Sequence, residues 1–562
     1  MLKLVLGRSG SGKTTTLREL VRQSLREDRE RPVFLIVPEQ ASFENERAML
    51  SLLGAEDAQL VHVLSFSRLA DEAFRLYGGG AGRRLDDGGR SMFMSLALSA
   101  VQDRLDFYRR SAAGGELVSL MLAISSELKL CAVSPATLAE AAGRMPEGAL
   151  SRKLREVSLI LSAYDAMVAQ SYLDPLDDLT RALPLLREHG FFRGALVAVD
   201  SFTAFTVQQY AILRVILEQS EEMAVSLCAD SLDDPDDGVG LFSLVKRTAR
   251  QLRVLAREIG ISVAAPVVLP PGARFSCEGL RGLEENLYRA RRRSFPGTDC
   301  ATVYRASGVY EEAAFVASSI RRLVMEEGYR YGDFAVIARN ADTYAGVLDR
   351  ALDAREIPYF MDQPAAIESE PLMRFVLAAL QTVRTGFRTD ELLLCLKTGL
   401  AGLDTEEIAR LENYAFLWNV SGRTWREEWT AHPRGFEEEW TEEDGRLLES
   451  LNDCRRRAVE PLEELASVVE TGTGEDCARA LYRYLERTQA AEALRSLAVQ
   501  LEGAGRPDLA ERGIRLWDML MQILDQCAMV LGETVLGCAR FSELLRRVIA
   551  CGTLATIPQG LD

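Results

Sequence analysis

The residues Gly7 to Thr15 read GRSGSGKTT and fit the spacing G-x-x-x-x-G-K-[ST]. That spacing suits one chemical task. Successive backbone N–H groups converge on phosphate oxygens, and glycine permits the backbone angles this requires. The stretch Gly7, Arg8, Ser9, Gly10, Ser11 and Gly12 is expected to cradle the phosphates of a nucleotide. Lys13 is expected to reach the β- and γ-phosphates, and Thr14 to offer its hydroxyl to Mg²⁺. The metal of such a site takes a second carboxylate from the end of another apolar strand, and ALVAVDSF supplies Asp200. Many motors of this class carry a glutamate next, which handles the attacking water. Here the next residue is Ser201, which is no base at neutral pH. The pattern points to a site that holds ATP with Mg²⁺ but turns it over poorly. Asp200 also suits the plainer role of capping the helix that follows.

These residues need a scaffold to position them. LKLVLG is an apolar run of strand type, and KTTTLRELVRQSLREDRE carries Leu and Val at helical spacing, so the glycine loop lies between strand and helix. PVFLIVPEQ and QLVHVLSFSRL are further strand-type runs, each followed by a helical pattern, and GALVAVDSF with MAVSLCAD resumes the alternation. Strands alternating with helices predict an α/β fold with a parallel sheet. Polar residues at the strand ends, Gln40, Ser42 and Arg68, are candidates to contact a phosphodiester backbone or base edges, and Phe66 to stack on a base. The same residues equally suit ordinary loop and core positions.

The pattern divides the chain further. A first α/β domain is expected over 1–89 and 190–270, interrupted by a helical insertion over 90–189. A linker is expected over 271–298, the start of a second α/β domain over 299–380 with strands at ATVYRAS and FAVIARN, a second helical insertion over 381–555 and a return to the α/β domain over 556–562.

Composition excludes several classes. Of 562 residues, 48% are hydrophobic and 27% charged, as in ordinary globular chains rather than disordered or fibrous ones. No apolar run approaches the ~18 residues of a membrane span, and MLKLVLG is too short for a signal-peptide core, so a cytoplasmic location is expected. The ten cysteines stand singly and only three histidines are present, which argues against a zinc site or a disulfide framework. A net charge of −17 argues against a surface coated for non-specific nucleic-acid binding. Local clusters, RARRRS at Arg289–Ser294 and CRRRA at Cys454–Ala458, either line a basic channel or stand solvated.

GRSGSGKTTTLRELV, VPEQASFENERAML and LSFSRLADEAF together resemble the amino-terminal part of AddB, the second subunit of AddAB helicase–nucleases. The likeness continues in collinear order through VAVDSFTAFT, YRYGDFAVIARNADTY, IPYFMDQPAAIESEPLMRFVLAAL, CLKTGL and LENYAFLWNVSGRTW. It implies a fold like superfamily 1 helicases, with two RecA-like motor domains each bearing a helical insert. It also implies a motor that has lost helicase function, while an AddA-like helicase–nuclease partner in the heterodimer drives unwinding of double-stranded DNA. The chain would then scan the emerging single strand for a recombination hot-spot sequence during repair of double-strand breaks. Carried over by the resemblance, Gln40, Ser42, Phe66 and Arg68 are hot-spot contacts. Ser42 replaces an expected threonine and keeps its hydroxyl, whereas Asp71 stands where an aromatic is expected and would repel phosphate. Family members continue past TIPQGLD into a nuclease domain with metal-binding acids and four cysteines for a [4Fe–4S] cluster. Those ligands are not read in this sequence, which is expected to be part of a longer protein. No membrane partner is expected. Two other readings stay open: an autonomous P-loop NTPase or small-molecule kinase, and a structural module with a vestigial loop. The long insertion between Lys13 and Asp200 weighs against the kinase.

Overall fold

The computed structural model describes residues 1–554 apart from 112–114, 171, 233–239, 289–293, 295–299, 362–364 and 437–439. The cluster at Arg289–Ser294 therefore falls almost wholly outside the described residues, as does TIPQGLD. In chain order the strands are β1 (Leu2–Leu6), β2 (Val33–Ile36), β3 (Val61–Leu64), β4 (Arg83–Arg84), β5 (Tyr172–Leu173), β6 (Leu196–Val199), β7 (Glu222–Leu227), β8 (Val267–Val268), β9 (Ala365–Ala366) and β10 (Thr553–Leu554). The chain divides into two units, one of residues 1–84, 123–158 and 168–304, the other of 85–122, 159–167 and 305–562. The helical stretch expected as one insertion over 90–189 is thus shared between them.

The first unit is built on a six-stranded sheet in the order β3-β2-β6-β7-β1-β8, with every pairing parallel. Its strands read VFLI, LVAV and MAVSL because both faces are covered, and β2 and β6 are buried along their whole length. Side chains alternate between two cores. Phe34, Ile36, Val197, Val199, Met223 and Val225 enter one; Leu35, Leu196, Ala198 and Ala224 enter the other. Helices α1 (Lys13–Glu27) and α2 (Ser42–Ala58) send Leu17, Val21, Leu25 and Met49 into the second core. α3 (Phe66–Tyr77) contributes Leu69 and Phe74 to the first core, as do later helices through Leu186, Ile212 and Leu252. β2 follows β1 in sequence yet lies beyond β7 and β6, so the chain reverses its direction of travel across the sheet beside β1, a place where α/β proteins bind ligands.

The second unit is helical among its described residues, apart from the antiparallel pair β9–β10. Its core holds Trp425, Phe375, Phe387 and Phe541, each fully buried. The strands expected at ATVYRAS, which straddles the boundary at residue 304, and at FAVIARN, inside the second unit, do not form: 301–306 and 334–338 have no regular structure. The physical reason is pairing. A strand exists only against a neighbour that takes up its N–H and C=O groups, and none is supplied here among the described residues. Val303 and Ile337 stand 97% and 93% exposed. In the cluster CRRRA, Arg455 is a structural residue of the core and Arg456 and Arg457 are partly exposed. Arg455 is buried, its guanidinium donating to the carbonyl of Trp425 at 3.0 Å and to Asn452 Oδ1 at 3.1 Å. Burial pushes its pKa below the usual arginine value. Arg457 pairs with Glu407 and, at 3.3 Å, with Asp453.

Candidate nucleotide site

The loop after β1 closes tightly. Gly10 and Gly12 take φ of +69° and +90°, left-handed values that favour glycine, and Gly12 hands the chain to α1 at Lys13. A Cβ on Gly7 would lie 2.2 Å from Ser11 Oγ, so the turn has room only for hydrogen there. The Ser11 hydroxyl is buried and has no hydrogen-bond partner among the described residues. Lys13 Nζ donates to the carbonyl of Arg8 at 2.8 Å, so the ammonium rests across the mouth of its own loop. Among the described residues no carboxylate is hydrogen-bonded to that ammonium. Together with the N-terminus of a fifteen-residue helix and a left-handed glycine turn, it makes a cradle for anionic oxygens. The Arg8 side chain is directed elsewhere. Its guanidinium meets Glu284 at 3.0 and 3.1 Å, the Glu284 carbonyl at 2.7 Å and Asp230 at 3.5 Å.

Asp200 directly follows β6, two strands from β1. Val199 is in register with Val225, and Ser226 with Val5, so Asp200 comes level with Ser226 on the strand beside β1. The Ser226 hydroxyl donates to Asp200 Oδ1. Oδ2 has no partner among the described residues, in a side chain of a residue only 2% exposed. An unsatisfied buried carboxylate oxygen is costly unless a cation or donor meets it, so the site fits the second ligand of a nucleotide-borne Mg²⁺. Among the described residues no three His, Cys, Asp or Glu side chains are grouped to hold a metal by themselves. Ser201 follows with φ of +67° and faces solvent.

The ends of β2 and β3 carry the other candidates, and the structure sorts them. Arg68 is half exposed, with Nη1 2.5 Å from Glu46 Oε1. Gln40 is exposed. Ser42 is buried and its hydroxyl unpartnered among the described residues. Phe66 does not present a face for stacking: it is 5% exposed and lies edge-on to Phe202 and Phe205, with centroids 5.6 and 6.2 Å away. It entered the core because it opens α3 on the side that faces the sheet. Glu39 accepts hydrogen bonds from the Ser65 and Ser67 hydroxyls, which hold its carboxyl below the usual glutamate range. Asp71 pairs with Arg84, which also meets Asp178 at 3.1 Å, so its charge is compensated within the unit.

With this geometry in place, comparison with known proteins decides the family. A family profile described as ADDB, N-terminal, matches residues 4–284. The chain belongs to the AddB family. The span covers the end of β1, the glycine loop, Asp200 and Glu284, so the site's side chains fall within it. A protein of Acetivibrio thermocellus, named as the B subunit of an ATP-dependent helicase/deoxyribonuclease, is 29% identical over 570 residues, covering 100% of this chain and 50% of the relative. Proteins with the same name from Caldanaerobacter subterraneus subsp. tengcongensis and Clostridium novyi are each 28% identical, over 100% of this chain and 49% of the relative. The chain spans about half the length of these curated relatives.

Three parts of the site escaped the sequence reading. Ser226 left a signal, a lone hydroxyl inside the apolar strand MAVSL. Phe202 and Phe205 sit in DSFTAFT beside Asp200, but nothing in their spacing shows that they close over Phe66. Glu284 lies in the stretch expected as a linker over 271–298 and had no signal at all.

Proposed function

We propose that this chain is an ATP- and DNA-binding part of an AddB-type subunit. It holds ATP with Mg²⁺ at the glycine loop and Asp200, and it binds single-stranded DNA across the strand ends that bear Gln40 and Arg68, whereas Ser42, 3% exposed, lies beneath that surface. The single observation that carries the reading is the buried Asp200 Oδ2, unpartnered among the described residues and level with Val5, two residues before the phosphate loop, on the strand order β6-β7-β1. That order supports a RecA-like motor domain for the first unit. Ser201 supplies no base, so ATP is held for long periods and hydrolysed slowly. The helicase/deoxyribonuclease name of the relatives supports a role in processing DNA breaks for recombination, with an AddA-like helicase–nuclease as the partner chain and scanning for a hot-spot sequence as the task. Arg68 meets phosphate by exchanging Glu46 for it. Phe66 supports the strand ends from beneath rather than stacking on a base.

The test is the steady-state ATPase rate of the purified chain, with and without single-stranded DNA. Slow turnover together with measurable DNA binding is expected. Fast turnover that does not respond to DNA would favour an autonomous P-loop enzyme and overturn the reading.

A further inference from the structure

The segment Leu269–Asn286 is held against the phosphate loop at three points. The Leu269 amide donates to the Leu6 carbonyl at 2.8 Å, at the point where β1 turns into the loop. The Arg274 amide donates to the Gly10 carbonyl at 2.9 Å, in the middle of the loop. A Cβ on Gly10 would lie 3.0 Å from Arg274 Cβ and 3.4 Å from the Phe275 ring, so the segment runs directly over the glycine. The third point is the ion pair. Glu284, on the helix Glu278–Asn286, takes the Arg8 guanidinium through its carboxylate and its own carbonyl. The Arg8 side chain is only 8% exposed and that of Glu284 17%, and the Phe242 ring lies 5.2 Å from the Arg8 guanidinium carbon. A nearly buried arginine holding a fork of carboxylate oxygens has little freedom to choose another partner.

These contacts act on the atoms a nucleotide needs. The Arg8 carbonyl is the group that Lys13 occupies, and Gly10 is one of the two left-handed positions that shape the loop. The loop's anion-binding geometry and the docked segment occur together in this structure.

We propose that Glu284 is a positioning residue of the nucleotide site, acting through Arg8, and that nucleotide occupancy is coupled to the docking of Leu269–Asn286 on the phosphate loop. The inference rests on the nucleotide reading above and extends it to the segment that runs over the loop. The docked segment preorganises the loop, so by reciprocity a bound nucleotide tightens the docking. The chain runs on from Asn286 toward the second unit, so occupancy of the loop is felt at the start of that connection.

The experiment uses the chain as it stands, with Mg-ADP and Mg-ATPγS as probes, read by hydrogen–deuterium exchange and by equilibrium binding. Saturating nucleotide is expected to slow exchange at the amides of 269–286. Glu284→Gln keeps the shape but removes the charge. It is expected to weaken nucleotide binding by about tenfold, within the usual range for coupled sites, and to abolish that protection. Glu284→Asp recovers part of both. Unchanged exchange at the amides of β6 and β7 shows that the variants remain folded. Nucleotide binding of ordinary strength that leaves 269–286 unprotected, or a Glu284→Gln variant that binds like the parent, overturns the coupling while the nucleotide site stands. Absence of binding in the parent chain overturns the nucleotide reading and the coupling with it.

Discussion

Two regions of this molecule carry the same kind of apolar sequence and meet different fates. VFLI and LVAV in the first unit are central strands, buried on both faces. FAVIARN in the second, and ATVYRAS where the first unit passes into the second, are also rich in Val, Ile or Ala but stay irregular, with Ile337 and Val303 almost fully exposed. The difference lies in the neighbours. β2 and β6 are brought together from residues 33 and 196, and β7 and β1 from 222 and 2, so each ladder depends on a long-range partner. An apolar run gives a segment the capacity to be a strand, and the pairing makes it one.

The largest expected effect breaks this comparison directly. Leu4→Ala in β1 removes a side chain 1% exposed and is expected to destabilise the first unit by about 2–5 kcal/mol. Ile337→Ala, at 93% exposure, is expected to change stability by less than about 0.5 kcal/mol. Hydrogen exchange at the amides of β1 and β7 reads the first. All five tryptophans lie in the second unit, so their fluorescence during urea unfolding reads the second. Equal effects would mean that exposure does not separate the two regions.

The next effect separates two neighbouring residues at one strand end. Phe66→Ala is expected to cost about 3–5 kcal/mol of stability, because the buried ring packs against both Phe202 and Phe205. Arg68→Ala is expected to leave stability within about 0.5 kcal/mol and to weaken single-strand binding several-fold, with a shallower salt dependence. Thermal melts and fluorescence anisotropy at two salt concentrations give both quantities. An Arg68→Ala variant with unchanged DNA affinity would remove that residue from the interface.

A smaller effect tests the core of the second unit. Burial pushes the Cys395 and Cys527 thiols up to about 12, whereas Cys131 and Cys551 are exposed. Native chain in a thiol-reactive dye at pH 8 is expected to modify Cys131 quickly and Cys395 and Cys527 only after unfolding. Folding raises these two pKa values above the free-thiol value of 9.0, so their contribution to stability is complete below that pH. It is lost as pH rises toward the folded value of about 12.

Much of the first unit was legible in the sequence, because local signals and long-range pairing agree there. The strand before Gly7, the helix from Lys13 and the strand ending at Asp200 all stand where the periodicity places them. The site was less so. The sequence marks which side chains can do chemistry, but not which way they point. Phe66 turned inward and the Arg8 guanidinium turned away from the loop toward Glu284, 276 residues along the chain. Asp71, an apparent obstacle to DNA, is compensated by Arg84, a partner that only the fold brings near. The strands expected at ATVYRAS and FAVIARN failed because the sequence pattern carries no information about where a partner strand comes from.

The central claim is that the phosphate loop and Asp200 form one nucleotide site. Calorimetric titration of Mg-ATP into the chain, its Lys13→Ala variant and its Asp200→Asn variant tests it most directly. The account predicts binding in the parent, a loss of about 10–100-fold on removing the Lys13 charge, and a loss of the Mg²⁺ dependence of binding in Asp200→Asn. Binding in the parent that neither substitution alters would contradict it.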